Sequence, residues 1–297
     1  MFRLRHILTL LLSLMVAQLM GQTPQETTIN ASHRRYVTPT GAYSNRGTTW
    51  ADAKNNIQDA INDLVASNLL PGEVWVKEGT YRPTESTESG GSSLFASFKI
   101  PAGITVRGGF AGNEVTLNDR MVKYLDKDGN TVGTAKIGDT FSKAYTDKRF
   151  LHPTVLTGDL SSRQANFTWN DQSHRYATQF YGNAYHVVWF ATNGFYSNGR
   201  AKALRLNDAS WTATLEGVTI MRGYAYNSSL EGHPHNAYGG GAYMVDGSMM
   251  RDVRIECCEA SRNGGAIYMD GGGVCDHVFV TTSQAQGIGT SYGYGGG

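Results

Sequence analysis

Two pairs of aspartates near the end of this chain are the first residues to test for chemistry. Asp246 and Asp270 lie 24 residues apart, and so do Asp252 and Asp276. If that spacing is one turn of a repeating fold, stacked copies sit ~4.8 Å apart and each pair sets two carboxylates side by side. Carboxylates that close must share a proton or hold a cation such as Ca²⁺ between them. Against this, Asp before Gly is a turn residue by its own backbone chemistry, as in Asp246-Gly247 and Asp270-Gly271. Asp252 and Asp276 each precede an apolar run, and no Asp-Asp dyad or Arg partner accompanies the pairs, which weakens a glycosidase or lyase assignment. The turn reading carries more weight: no catalytic residue is assigned, and these four aspartates are the ones to test.

Other side chains give less. His233-Pro234-His235 puts two imidazoles in a Gly- and Asn-rich stretch, the nearest thing to a transition-metal site, but two ligands do not close one. No metal and no cofactor is therefore assigned. His186 stands in an apolar run and reads as a core histidine; Glu114, Arg120 and Asp159 read as ion-pair or turn residues. Cys257, Cys258 and Cys275 are odd in number, with two of them adjacent, so they read as unpaired thiols filling the interior. Glycine-rich segments here carry no Lys-Ser/Thr partner and open no helix, which excludes a phosphate loop.

The elements that must hold these residues are legible from repetition. Gly240-Gly241-Ala242 returns as Gly264-Gly265-Ala266, while Val253 and Ile255 return as Val278 and Val280, one residue late. A period in the twenties, with short apolar strands between Gly-rich turns, marks a solenoid whose coils bury one another's apolar faces. With no helical periodicity inside the coils, the expected fold is all-β, a parallel β-helix. Glycine, 36 of 297 residues, exceeds the ~7% of ordinary usage and suits dense turns.

Upstream, Trp50, Ala53, Ile57, Ala60, Ile61, Leu64 and Val65 recur at helical steps. They predict an amphipathic capping helix over about 49–67, N-capped by Thr49, closing the solenoid's first end. Apolar strands are expected at 73–76, 98–100, 104–106, 154–159, 185–190 and 215–220, with polar insertions at about 115–152, 161–184 and 191–213. Aromatic residues in the strands read as core, and those in the insertions as open to sugar contact. Residues 1–21, with Arg3, Arg5 and His6 before an apolar run, read as a signal peptide, and 22–37 as a flexible lead-in to a β-helix over 38–297. No later stretch is apolar enough to span a membrane as a helix. Tyr294-Gly295-Gly296-Gly297 repeats the opening Tyr238-Gly239-Gly240-Gly241, so a continuation beyond Gly297 is expected, with end-to-end self-association as the other way to cover the last coil.

In order, Trp50-Ala51-Asp52-Ala53, Val74-Trp75-Val76, Gly79-Thr80-Tyr81, Ile104-Thr105-Val106-Arg107-Gly108-Gly109-Phe110 and Thr154-Val155-Leu156-Thr157-Gly158-Asp159 form a combined pattern. It resembles the secreted right-handed β-helix surface proteins of Bacteroidetes-type bacteria, which are similar in fold to pectate lyases. The Gly264-Gly265-Ala266-Ile267 repeat resembles that of chlamydial polymorphic outer-membrane proteins. The resemblance spans most of 38–297 outside the insertions. It implies an exported or outer-membrane surface protein, adhesin-like or touching surface glycans, with no catalysis. The alternative it implies is a polysaccharide lyase or glycoside hydrolase with a Ca²⁺-assisted carboxylate groove. A net charge of +1 gives no electrostatic case for nucleic acid.

Overall fold

The computed structural model describes residues 29–86, 93–161, 182–190, 212–226 and 237–286. The signal-peptide reading, His233 and His235, most of the second and third insertions, and the terminal Tyr-Gly run lie outside them. The chain from Ala31 onward forms one unit.

Its strands are, in order, β1 (Arg34–Val37), β2 (Gly72–Lys77), β3 (Gly79–Tyr81), β4 (Phe98–Lys99), β5 (Ile104–Phe110), β6 (Met121–Leu125), β7 (Thr131–Lys136), β8 (Asp147–Phe150), β9 (Thr154–Thr157) and β10 (Val188–Trp189). They continue with β11 (Ala213–Glu216), β12 (Val218–Met221), β13 (Tyr224–Ala225), β14 (Ala242–Val245), β15 (Ser248–Glu256), β16 (Glu259–Ala260), β17 (Ile267–Asp270), β18 (Val274–Thr281) and β19 (Gln284–Ala285). A single α-helix, α1 (Ile57–Ala66), is present among the described residues.

Except for β6–β8, every pairing of these strands is parallel. One sheet climbs through β1, β2, β5, β11 and β15, then β12, β9 and β3, with β18 on β15; β4, β10, β14 and β17 form a second, and β13, β16 and β19 a third. The chain thus revisits each sheet once per turn, which is the all-β, solenoid-like architecture expected from the repeat. Between the sheets lies one apolar core, with Val74, Phe98, Leu156, Leu215, Val253 and Ile255 all but inaccessible.

The repeat is realised one residue away from the sequence spacing. Ala242 pairs with Ile267, Tyr243 with Tyr268 and Val245 with Asp270. Arg251 likewise pairs with Asp276 and Val253 with Val278. The spatial period is therefore 25 residues, as between Arg251 and Asp276. The recurring Tyr-Met dipeptide, Tyr243-Met244 and Tyr268-Met269, carries that register better than the glycines do.

Two corners flank the half-strands of each later turn. At the first, Gly217, Asp252 and His277 hold φ of 69°, 49° and 53°; at the second, Arg222, Cys257 and Thr282 hold 62°, 54° and 48°. This left-handed conformation suits Gly and is tolerated by Asp and His far better than by branched side chains.

The helix starts later than expected. Asn56 is the N-cap, its side-chain oxygen accepting from the Gln58 and Asp59 amides. Thr49 instead closes a separate turn by accepting from the Asp52 amide. Residues 48–52 form bends and a turn and Lys54 bridges Val37, so the Trp50 and Ala53 spacing is not helical. Ile57, Ala60, Ile61 and Leu64 bury the helix's apolar face in the core, where α1 packs against β1, β2 and β4. Trp50 joins Tyr36, Trp75 and Phe110 in an aromatic cluster instead.

Candidate functional site

The insertion between β5 and β9 builds a concave site against the solenoid. It is a small antiparallel sheet, ordered β7-β6-β8. Tyr124 stacks on Phe141 with ring centres 3.9 Å apart, and Tyr145 packs edge-on against Tyr124, giving this clasp a small core of its own. It leaves the solenoid at the first corner, where β12 in the next turn needs only Gly217 to connect.

Three contacts fasten the clasp down. Phe150 lies over Gly109 and Gly217; a Cβ at Gly217 would sit 3.0 Å from its ring, and one at Gly109 would overlap it. Arg120 donates to Glu216 at 2.6 Å and to the Gly108 carbonyl at 3.1 Å, while its guanidinium lies 5.1 Å from the Phe150 ring centre. Asp147 on β8 accepts from Arg254 on β15 at 3.2 Å.

Glu216 is the hub beneath the clasp. It is 4% exposed and also pairs with Arg107, which reaches Glu73 at 3.3 Å; Glu73 in turn holds Arg34 at 2.5 Å. Burial alone pushes the Glu216 carboxyl up, but Arg107 and Arg120 outweigh it and hold it below the usual range. The expectation of an ion-pair role for Arg120 is met here. Glu114 accepts from the Ala111, Gly112 and Asn113 amides at 2.6, 2.9 and 3.1 Å. Asp159 accepts from Ser161 and lies 3.7 Å from Arg222. Glu114 is thus a turn group and Asp159 a turn and ion-pair group, as expected.

Between clasp and solenoid runs a groove of about 470 Å³. Its floor is the outward face of β9, β12, β15 and β18, where Val155, Thr219, Arg254 and Phe279 stack in register across successive turns. Strand β8 and Tyr145 form its wall. Tyr145 and Phe279 keep 47% and 46% of their surface exposed. Arg254 spans the groove, bonding Asp147 on one side and Glu256 at 3.3 Å on the other.

Of the four candidate aspartates, only Asp252 lines this groove. Burial raises its carboxyl above the ordinary value, opposed by Lys148, which sits 4.0 Å away. The side-by-side pairing expected from the 24-residue spacing does not occur. In the 25-residue register Asp252 stacks on His277, while Asp276 stacks on Arg251 and bonds it at 3.1 Å. Asp270 lies opposite Val245 and accepts from Tyr243 at 3.4 Å, whereas Asp246 sits in the following turn against Gly271 and Gly272. Each pair is therefore offset by one residue along the strands. Among the described residues, no group of three or more His, Cys, Asp or Glu side chains converges as a metal site.

His186 is a core residue, as expected: its Nδ1 lies 2.9 Å from the Gly239 carbonyl and burial lowers its pKa to about 4. The cysteines need correction. All three are free thiols, as expected, but Cys258 alone is buried, its thiol pushed up to about 12 by burial; Cys257 occupies a left-handed corner, because only one of the adjacent pair can face inward, and Cys275 is exposed on the last described coil. The groove itself was not foreseen. Its signal was Arg254 and Phe279 at one register position, beside an insertion rich in Lys.

No family model, curated protein or solved structure matches this chain. Among the described residues, no helix is long and apolar enough to cross a membrane.

Proposed function

We propose that this chain is a right-handed parallel β-helix, exported and displayed at a cell surface, that holds a glycan in the groove under the clasp without cleaving it. The observation that carries this reading is the groove's make-up: exposed rings of Tyr145 and Phe279 beside a polar floor whose acids are already engaged. Rings with one open face offer a stacking surface for the apolar face of a sugar, and hydroxyls can exchange hydrogen bonds with the charged floor. Asp147 is shared by Arg149 and Arg254, and Glu256 is bonded to Arg254. Carboxylates already bonded to guanidinium groups have no free lone pair aimed at a substrate proton.

A second reading, a lyase or hydrolase, is favoured by one feature: Asp252 takes up protons more readily than an ordinary aspartate, inside the groove and beside Lys148. The test is to mix the exported protein with a panel of soluble polysaccharides, measuring binding by affinity electrophoresis and cleavage by release of reducing or unsaturated ends. Binding without cleavage is expected, with at least about a tenfold loss when Tyr145 and Phe279 are both replaced by Ala. Cleavage that Asp252→Asn abolishes would establish the enzyme reading instead.

A further inference from the structure

The charges of the groove specify its ligand more narrowly. Its lining holds Lys123, Lys148, Arg149 and Arg254 against Asp147, Asp252 and Glu256, with His277 beside them. Each of the three carboxylates has a cation: Asp147 has Arg149 at 2.8 Å and Arg254 at 3.2 Å, Asp252 has Lys148 at 4.0 Å, and Glu256 has Arg254 at 3.3 Å. Lys123 makes no ion pair with any described carboxylate. It stands directly opposite Arg149 on the neighbouring strand, Lys123 on β6 and Arg149 on β8 being register partners. Like charges facing each other across a strand pair repel, and a bound anion removes that repulsion. The half-buried position of Lys123 adds to the effect, since water screens it less than an open surface lysine.

We propose that the groove takes an acidic glycan, with a carboxylate or sulfate ester of one sugar seated between Lys123 and Arg149 and a neighbouring ring against Tyr145 or Phe279. This rests on the glycan reading above and narrows it. A neutral polysaccharide would leave the Lys123–Arg149 repulsion in place. A cationic one would meet a surplus of positive charge with every acid already engaged. The floor repeats once per coil, strands lying ~4.8 Å apart, so a linear chain running along the solenoid axis meets equivalent positions in succession.

Affinity electrophoresis at low salt with hyaluronan, heparin and dextran separates the cases, since these carry carboxylates alone, sulfates with carboxylates, and no charge. Hyaluronan or heparin should bind at least about tenfold more tightly than dextran, and the preference should fade as salt is added. Which of the two binds better identifies the acidic group. Lys123→Gln should remove most of the preference while Lys123→Arg keeps it, and a thermal melt of both variants confirms that the clasp is intact. Equal binding of all three glycans, or binding of dextran alone, overturns this inference and leaves the glycan reading standing. Failure of every glycan to bind defeats both. Comparable binding of a single-stranded oligonucleotide shows that the groove recognises charge without sugar chemistry, and also overturns the proposal.

Discussion

The solenoid body and the clasp solve the same problem by opposite means. In the body, strands pair in parallel with neighbours one turn away, and stability is spread along columns such as Leu215, Met250 and Cys275. In the clasp, β6 pairs antiparallel with strands close in sequence, and a few rings serve as the core. The body resists local damage because each residue has equivalents above and below. The clasp depends on a handful of fastenings, namely Phe150, Arg120 and Asp147. The groove exists only because the second region is tied to the first, so its geometry is as robust as those fastenings.

Breaking the ion-pair hub should cost most. Glu216→Gln leaves Arg120 buried without its acid and Arg107 with Glu73 alone, and should destabilise the protein by ~3–5 kcal/mol, read from chemical denaturation. The same site predicts acid lability. Because the folded Glu216 pKa is depressed, its contribution is present above the unfolded value of about 4.3 and is lost as pH falls through the folded value.

His186 adds a second, separable acid sensitivity in the body. Its folded pKa of about 4 lies below the unfolded 6.5, so the unfolded chain binds the extra proton first and stability falls as pH drops through that interval. The loss should approach ~3 kcal/mol by pH 4, and His186→Gln should flatten that slope in a pH series of melts. Removing the clasp's anchor comes next. Phe150→Ala should cost about 2 kcal/mol and loosen the clasp, seen as faster amide exchange in β6–β8 while α1 and β2 stay protected.

The smallest effect has the opposite sign. Asp252 is an acid with a raised pKa in the folded state, so stability decreases as pH rises through that value. Asp252→Asn keeps a residue type that tolerates the left-handed corner and removes the half-buried charge; it should stabilise the protein at neutral pH by about 0.5 kcal/mol in a denaturation series.

Periodicity made the body legible, and the clasp's polar, aperiodic sequence hid its structure. Parallel coils leave an imprint because Val253 and Ile255 must recur where Val278 and Val280 recur, or the core is interrupted. The register slipped by one because glycines mark turns, whose length can vary, while Tyr243 and Tyr268 mark strands, whose pairing cannot. The helix start was misread for a related reason: Trp50 and Ala53 are apolar and correctly spaced, yet Trp50 packs on aromatic residues from β1, β2 and β5. No local signal reveals such a long-range choice. The groove was invisible because it joins Lys123 and Asp147 to Arg254 and Phe279, far apart in sequence and brought together only when the clasp folds back.

The paired corners have an evolutionary consequence. Gly217 and Arg222, Asp252 and Cys257, and His277 and Thr282 keep one constant interval, although the turns they belong to differ in length. That short leg acts as a ruler, and the rest of each turn is free to grow. A lineage can therefore splice new loops at the corner where β5 gives way to the clasp, or delete them, without disturbing the registers of the turns on either side. Whole inserts can then be exchanged without rebuilding the coils that carry them.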